Sequence, residues 1–212
     1  MPRAIQLDLL QKPSGRTSIL TASGFVLDLA NPDATGLPVE DVARALAFQP
    51  RWCGATSAFY SVAEHSVMVS RLVPEPLAYS ALWHDSIEFV QGDWPSPLKV
   101  YLGRDEINRK LAPLEAALAR RFGFRSHLPE VKRADLVAMA TELRDLLPPA
   151  WMDWGHLPPP AAETIRPVGP ERACALFLER YEQLRHLAEP AGQPPSAKRK
   201  TGGRKPRPGP QA

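Results

Sequence analysis

Three predicted helices each carry ionisable side chains on the face that should be buried. The spacing of apolar residues places His65 in the middle of one such face and Asp135 on another. On a third face the ionisable residues follow one another within little more than one helical turn: His84, Asp85 and Glu88. Buried carboxylates without a compensating positive charge are costly, so the joint occurrence predicts a bound cation.

A divalent metal is the natural cation for this set. His65, His84, Asp85 and Asp135 offer two imidazole nitrogens and two carboxylate groups. Such a mixed set suits one divalent transition metal, and it does not choose among Co, Mn, Zn, Fe and Ni. Four protein ligands leave room for water and a substrate oxygen, as in a catalytic site. Taken singly, each residue has the alternative of being a hydrogen-bonded core residue.

The order of the four residues along the chain resembles a known signature. A histidine, then an adjacent His-Asp pair, then a distant aspartate is the H…HD…D pattern of the HD-domain metal-dependent phosphohydrolases. The resemblance implies an all-α fold, an HD-domain helical bundle, in which these four residues bind the metal. It also implies that the reaction is hydrolysis of a phosphate ester.

Within that superfamily, residues 48–147 resemble the bacterial 5′-deoxynucleotidases. The motifs that carry the resemblance are Arg51-Trp52, Ala63-Glu64-His65-Ser66 and the run HDSIEFVQGDWPSPLK from 84 to 99. Residues 59–66 are also similar to small phage and bacterial HD hydrolases, and a phage HD protein that removes triphosphate from dATP is a third relative. The resemblance implies a nucleotide substrate, with deoxynucleoside 5′-monophosphates as the first expectation.

Five further residues have roles that the resemblance and their chemistry suggest together. Glu88 is expected to act as general base or acid in the attack of water on phosphorus, or else to orient a ligand histidine. Arg51 offers a planar fork for phosphate oxygens, and Trp52 offers a flat face to the sugar or base, unless it is a core aromatic. Asp93 is expected to bind the sugar, and Lys99 to neutralise phosphate unless it is simply solvated.

The elements that must position these residues are mostly helical. Residues 18–29 predict a short β-hairpin with its turn at Ser23-Gly24. The hairpin belongs to an N-terminal extension over 1–36, followed by an HD domain over 37–188 and a disordered basic tail over 189–212. Helices are predicted over 39–48, 56–72, 77–90, 104–122, 130–147 and 171–187.

Proline and charge are concentrated near the C-terminus. Of 24 prolines, 13 lie at or after residue 148, so 148–170 predicts a connection over the surface, pinned by Trp151 and Trp154. Residues 189–212 hold six bases and one acid, a net charge of +5, which leaves −2 for the other 188 residues of a chain of total charge +3. The tail holds no aromatic residue, so we expect weak, nonspecific nucleic-acid contact at most.

Composition also indicates the cellular location and leaves two alternative functions open. The chain has no long apolar run, no secretory signal and no disulfide framework, so we expect a cytoplasmic protein with no membrane partner. A homodimer is left open. A triphosphohydrolase releasing tripolyphosphate would need further cations, for which Lys99 and Arg104 are the obvious candidates. A nonenzymatic nucleotide or nucleic-acid binding protein, anchored by the tail, is the alternative outside enzymes.

Overall fold

The computed structural model describes residues 16–149, 154–155 and 157–190. It begins with an antiparallel hairpin of β1 (Ser18–Leu20) and β2 (Val26–Asp28). Gly24 has a φ of +88°, which a glycine adopts without strain, and it lies in the turn where the sequence predicted one. The Asp41 carboxylate accepts hydrogen bonds from the turn residues Thr21 and Ser23, and so joins the hairpin to the first helix.

Eight α-helices follow in the described part of the chain. They are α1 (Val39–Ala47), α2 (Val62–Arg71), α3 (Glu75–Leu82), α4 (Glu88–Gln91), α5 (Ser96–Tyr101), α6 (Arg104–Phe122), α7 (Pro129–Leu146) and α8 (Pro170–Leu184). The predicted class, a mostly α protein with a short N-terminal hairpin, is confirmed. The predicted disorder of the tail concerns residues of which all but 189–190 lie outside the described part, as does Trp151.

Helix α2 begins six residues later than the sequence pattern suggested. The prediction started it at residue 56, but its first residue is Val62. Ser61 is the N-cap: its hydroxyl accepts from the Glu64 amide at 3.2 Å, and the Glu64 carboxylate accepts from the Ser61 amide at 3.0 Å. This reciprocal capping box satisfies two backbone donors at the helix start, which explains why the helix begins there.

The predicted helix over 77–90 is wrong as one element, because the chain leaves the helix after Leu82. Helix α3 ends there, residues 83–87 form turns, and α4 begins at Glu88. Trp83 is fully buried in the core. His84 stays close to the end of α3, with its Nδ1 2.8 Å from the Ala81 carbonyl oxygen. The break therefore lets consecutive side chains enter two different interiors.

The hydrophobic core forms where α8 packs across α1, α2 and α3. At its centre the Trp83 ring contacts five aromatic rings: Tyr79, Phe122, Phe124, Phe177 and Tyr181. Helix α7 packs against α2 and α3 on another side. Among the described residues, no helix is long and apolar enough to cross a membrane.

Candidate metal centre

Three of the four predicted ligands meet at one point, although they come from distant parts of the chain. His65 lies on α2, His84 in the turn after α3, and Asp135 on α7. His65 Nε2 is 3.2 Å from His84 Nε2 and 3.2 Å from Asp135 Oδ1. One donor atom from each of the three lies within 4.8 Å of the others, so the cluster could hold a metal ion.

Asp85 borders this group of three. Its Oδ2 lies 3.1 Å from His84 Nε2 and 3.5 Å from His65 Nε2, and also 3.6 Å from Arg51 Nη1. Two imidazole nitrogens that face each other across 3.2 Å, with carboxylate oxygens on two sides, form a donor set that fits a divalent cation. The role of Asp85 as a fourth ligand stays a prediction.

Charge in the cluster is balanced by the histidines. Burial alone would raise the pKa of the Asp85 and Asp135 carboxyl groups, but the neighbouring imidazoles hold both values well below the ordinary range. For His65, burial and Arg51 would lower the pKa, yet Glu142 and Asp135 outweigh them and raise it to about 9. A proton on His65 therefore supplies, in metal-free protein at neutral pH, positive charge that a metal would otherwise supply.

Glu142 is the site residue whose role the sequence did not predict. It is fully buried, with Oε1 2.7 Å from His65 Nδ1. Its Oε2 accepts from Trp52 Nε1 at 2.8 Å and from Arg51 at 3.1 and 3.2 Å. Burial would raise the pKa of Glu142, but Arg51 and His65 lower it to about 2. Its position on the same face of α7 as Asp135 was the available signal, and its partners were not readable from spacing.

The Arg51-Trp52 pair lies beside the candidate metal cluster of His65, His84, Asp85 and Asp135, and other side chains of the protein hold it there. Arg51 is buried and paired with Glu142 and Asp85. The backbone N–H of Trp52 donates to Asp93 Oδ2 at 3.1 Å, and its ring meets Trp154 edge-on at 5.7 Å, so Trp154 does attach the proline-rich connection. The substrate contacts predicted for Arg51, Trp52 and Asp93 stay predictions.

Glu88 is buried at the first position of α4. Its Oε1 lies 3.5 Å from Lys99 Nζ, and its Oε2 has no hydrogen-bond partner among the described residues. Burial raises the pKa of Glu88 well above its ordinary value, and Asp85 and Asp93 add to the rise against the opposing Arg51 and Lys99. A buried carboxyl group with a raised pKa holds its proton more readily than an exposed one, as an acid catalyst requires.

A cavity of about 640 Å³ opens beside the cluster. His84, Asp85, Asp135 and Lys99 line it. Four basic residues that the sequence did not assign to the site line it as well: Arg109, Arg125, His127 and Lys132. Arg104, which the sequence suggested, is not among the lining residues, and its guanidinium donates to the Ser96 carbonyl oxygen at 3.2 Å.

The fold and the site together define a helical protein with a candidate metal centre beside a basic cavity. No known family model matches the chain. It is 36% identical over 179 residues to "Uncharacterized protein YfdR" of Escherichia coli, covering 80% of this chain and 96% of that protein. It is also 36% identical over 140 residues to "Uncharacterized protein RCAP_rcc00048" of Rhodobacter capsulatus, covering 58% and 70%. The chain belongs to the family of YfdR.

Proposed function

We propose that this chain is an HD-domain, metal-dependent phosphohydrolase of the 5′-nucleotidase type, which releases orthophosphate from deoxynucleoside 5′-monophosphates. The observation that carries the proposal is the convergence of donor atoms from His65, His84 and Asp135 within 4.8 Å of one another. The H…HD…D order of the residues and the cavity beside them support the same conclusion. A protein that only bound nucleotides would have no need of this donor set.

The metal and the protein would divide the chemistry between them. A divalent transition metal held by His65, His84, Asp85 and Asp135 would polarise the phosphoryl group and offset its charge. Glu88 would exchange a proton with the reacting oxygen atoms. Its raised pKa supports this role, as does its Oε2, which has no hydrogen-bond partner in the part of the chain that the structure describes.

Arg51 has one nitrogen to spare for the substrate. Its Nε and Nη2 donate to Glu142, whereas Nη1 faces Asp85 at a longer 3.6 Å. Nη1 is therefore the atom that would reach a phosphate oxygen bound at the cluster. A guanidinium held in this way stabilises charge that develops on the phosphoryl group, without having to reorganise.

The direct test combines metal analysis with a ligand variant. Purified protein should hold stoichiometric metal and, with added Co²⁺ or Mn²⁺, release orthophosphate from deoxynucleoside monophosphates. His84→Ala should lower turnover more than about 100-fold, since even residues behind the ligands are worth 10- to 100-fold. His186→Ala, an exposed histidine on the turn after α8, is the matched control and should leave turnover unchanged. The proposal fails if no metal is bound and His84→Ala is as active as the wild type.

The basic wall of the cavity favours a second candidate, a triphosphohydrolase acting on dATP or a similar nucleotide. Arg109, Arg125 and Lys132 supply cations of the kind that β- and γ-phosphates require, and the sequence did not reveal them. Each of the four basic side chains of this wall, His127 included, lies near a carboxylate, as Lys132 does near Asp135 at 2.8 Å. A phosphate group would therefore have to compete with these carboxylates for the basic side chains. Identifying the released ion as orthophosphate or tripolyphosphate decides between the two candidates.

A further inference from the structure

One buried carboxylate touches both parts of the proposed site. Glu142 is fully buried on α7, one turn before the helix ends. Its Oε1 meets the metal-side residue His65 at 2.7 Å. Its Oε2 meets the substrate-side residues Trp52 and Arg51 at 2.8 to 3.2 Å. Each oxygen thus serves a different part of the site.

On the metal side, Glu142 determines which nitrogen of His65 is available. An ionised carboxylate only accepts hydrogen bonds, so the Nδ1 of His65 must carry the proton between them. In a neutral ring Nε2 is then the free nitrogen, and Nε2 is the atom that lies 3.2 Å from Asp135 Oδ1 and from His84 Nε2. A histidine whose other nitrogen is held by a carboxylate is a better oriented and more basic ligand.

On the substrate side, Glu142 holds a residue whose backbone is strained. Trp52 and Cys53 have φ values of +57° and +53°, which side-chain-bearing residues rarely adopt. Such conformations persist only where their surroundings hold them. The indole N–H donates to Glu142, and the backbone N–H of Trp52 donates to Asp93. Loss of the Glu142 contact would leave the Trp52 ring without the partner that sets its orientation.

We propose that Glu142 is a positioning residue that orients His65 as a ligand and Trp52 as the aromatic wall of the substrate position, one with each oxygen. The inference rests on the proposed function, since it takes the cluster to be a metal centre and Trp52 to face the substrate. Removing the charge of Glu142 should loosen the metal and release the Trp52 ring in the same variant. If Glu142 had only a structural role, its loss would change neither metal affinity nor the orientation of the Trp52 ring in protein that stays folded.

Glu142→Gln tests both effects without an activity assay. Titration with Co²⁺, followed by the visible absorption of the bound ion, should show affinity 10- to 100-fold weaker than the wild type, about the loss typical of groups that orient ligands. The indole N–H signal of Trp52 in the ¹H–¹⁵N spectrum, identified by its loss in Trp52→Phe, should move upfield as its carboxylate acceptor disappears. Glu142→Asp keeps the charge on a shorter side chain and should bind Co²⁺ with intermediate affinity.

Glu64 provides the matched control. It is also a buried carboxylate and directly precedes His65 in the chain. Its side chain, however, accepts from the backbone N–H groups of Ser61 and Val168, and among the described residues it has no hydrogen bond or ion pair with a cluster residue. Glu64→Gln should leave Co²⁺ affinity and the indole signal unchanged. The inference is overturned if folded Glu142→Gln matches the wild type in both measurements. If that variant does not fold, Glu142→Asp is decisive, and wild-type affinity with an unmoved indole signal overturns the inference.

Failure of the proposed function would look different. Wild-type protein that binds no Co²⁺ would contradict the metal centre and with it the His65 half of the inference. The indole signal in Glu142→Gln would then still show whether Glu142 holds Trp52.

Discussion

Two interiors meet at the turn after α3, and consecutive residues enter each of them. Trp83 enters an aromatic interior, where its ring stacks on Phe122 at a centroid distance of 4.1 Å and on Phe124 at 5.7 Å. His84 and Asp85 enter the ionisable interior, where they meet His65 at 3.2 and 3.5 Å. One interior is built from apolar contacts and the other from charges.

The difference lies in what each interior needs to be stable. The aromatic cluster is held by contacts between its own rings and needs no bound ion, and the Trp83 indole nitrogen has no hydrogen-bond partner within the described part of the chain. The ionisable cluster needs a bound positive charge. That charge is either the proton on His65, whose pKa the neighbouring Glu142 and Asp135 raise to about 9, or a metal ion in its place. Solution conditions should therefore change the second interior and leave the first unaffected.

The largest expected effect comes from emptying the aromatic interior. Trp83→Ala should lower the free energy of unfolding by about 3 to 5 kcal/mol, because a large buried ring is lost and a cavity is left behind. Urea denaturation measures the change.

Trp94→Ala is the control for this variant, because Trp94 is 37% exposed in the loop before α5. Its effect on the free energy of unfolding should stay below about 1 kcal/mol. Equal losses for the two tryptophans would contradict the assignment of Trp83 to the centre of the core.

The ionisable interior should respond to pH instead. Because the pKa of His65 in the metal-free fold is raised from 6.5 to about 9, its proton stabilises that fold fully below pH 6.5. This contribution, roughly 3 kcal/mol, is lost as the pH rises from 6.5 through about 9. Thermal unfolding in the presence of a chelator, measured across that range, should show the decline.

Two controls test whether His65 causes this pH dependence: a variant that lacks the imidazole, and addition of Co²⁺. His65→Gln should remove most of this pH dependence, and saturating Co²⁺ should reduce it because the metal displaces the proton. A wild-type chelated protein whose unfolding temperature is constant from pH 6.5 to 9 would show that His65 does not take up the proton.

The smallest effect is expected at the boundary between the ionisable interior and solvent. Lys132 pairs with Asp135 Oδ2 at 2.8 Å, but its side chain is 70% exposed. Lys132→Ala should change the free energy of unfolding by less than about 0.5 kcal/mol, and Co²⁺ affinity by less than about threefold. Calorimetric titration measures the affinity. A loss of Co²⁺ affinity as large as that expected for Glu142→Gln would show that Lys132 helps to position the ligands.

Local sequence signals predicted the elements well where local interactions determine them. Helix α6 has the predicted bounds, Arg104–Phe122, because Gly103 and Gly123 stop the helical pattern at both ends. The start of α2 was predicted wrongly at residue 56, although the capping-box spacing of Ser61 and Glu64 was a local signal for the correct start. The break after Leu82 has no glycine or proline to announce it, because it comes from the tertiary packing of Trp83.

For the site, as for the fold, the sequence predicted local features and missed contacts between distant parts of the chain. Helical spacing placed His65 and Asp135 on the inner faces of α2 and α7. The helical face predicted for His84 does not exist, because His84 lies in the turn after α3, and the HD pattern is the signal that identified it correctly. The link from Glu142 to His65 joins residues 77 positions apart, and the basic wall joins α6, α7 and the loop between them. Contacts of this kind depend on how helices pack, which periodicity within one helix does not contain.

The glycine that ends α6 also closes a loop of the chain. Gly123 has a φ of +72°, and a β-carbon at this position would overlap the carbonyl oxygen of Glu189. The backbone N–H of Glu189 in turn donates to the Gly123 carbonyl oxygen at 2.8 Å. The 65 residues between these two points include all of α7, so Asp135 and Glu142 lie on a segment tethered at both ends. Closing so long a loop costs conformational entropy, and folding has already met this cost when an ion binds. A side chain at position 123 would therefore release one end of the segment that carries Asp135 and Glu142 into the candidate metal centre.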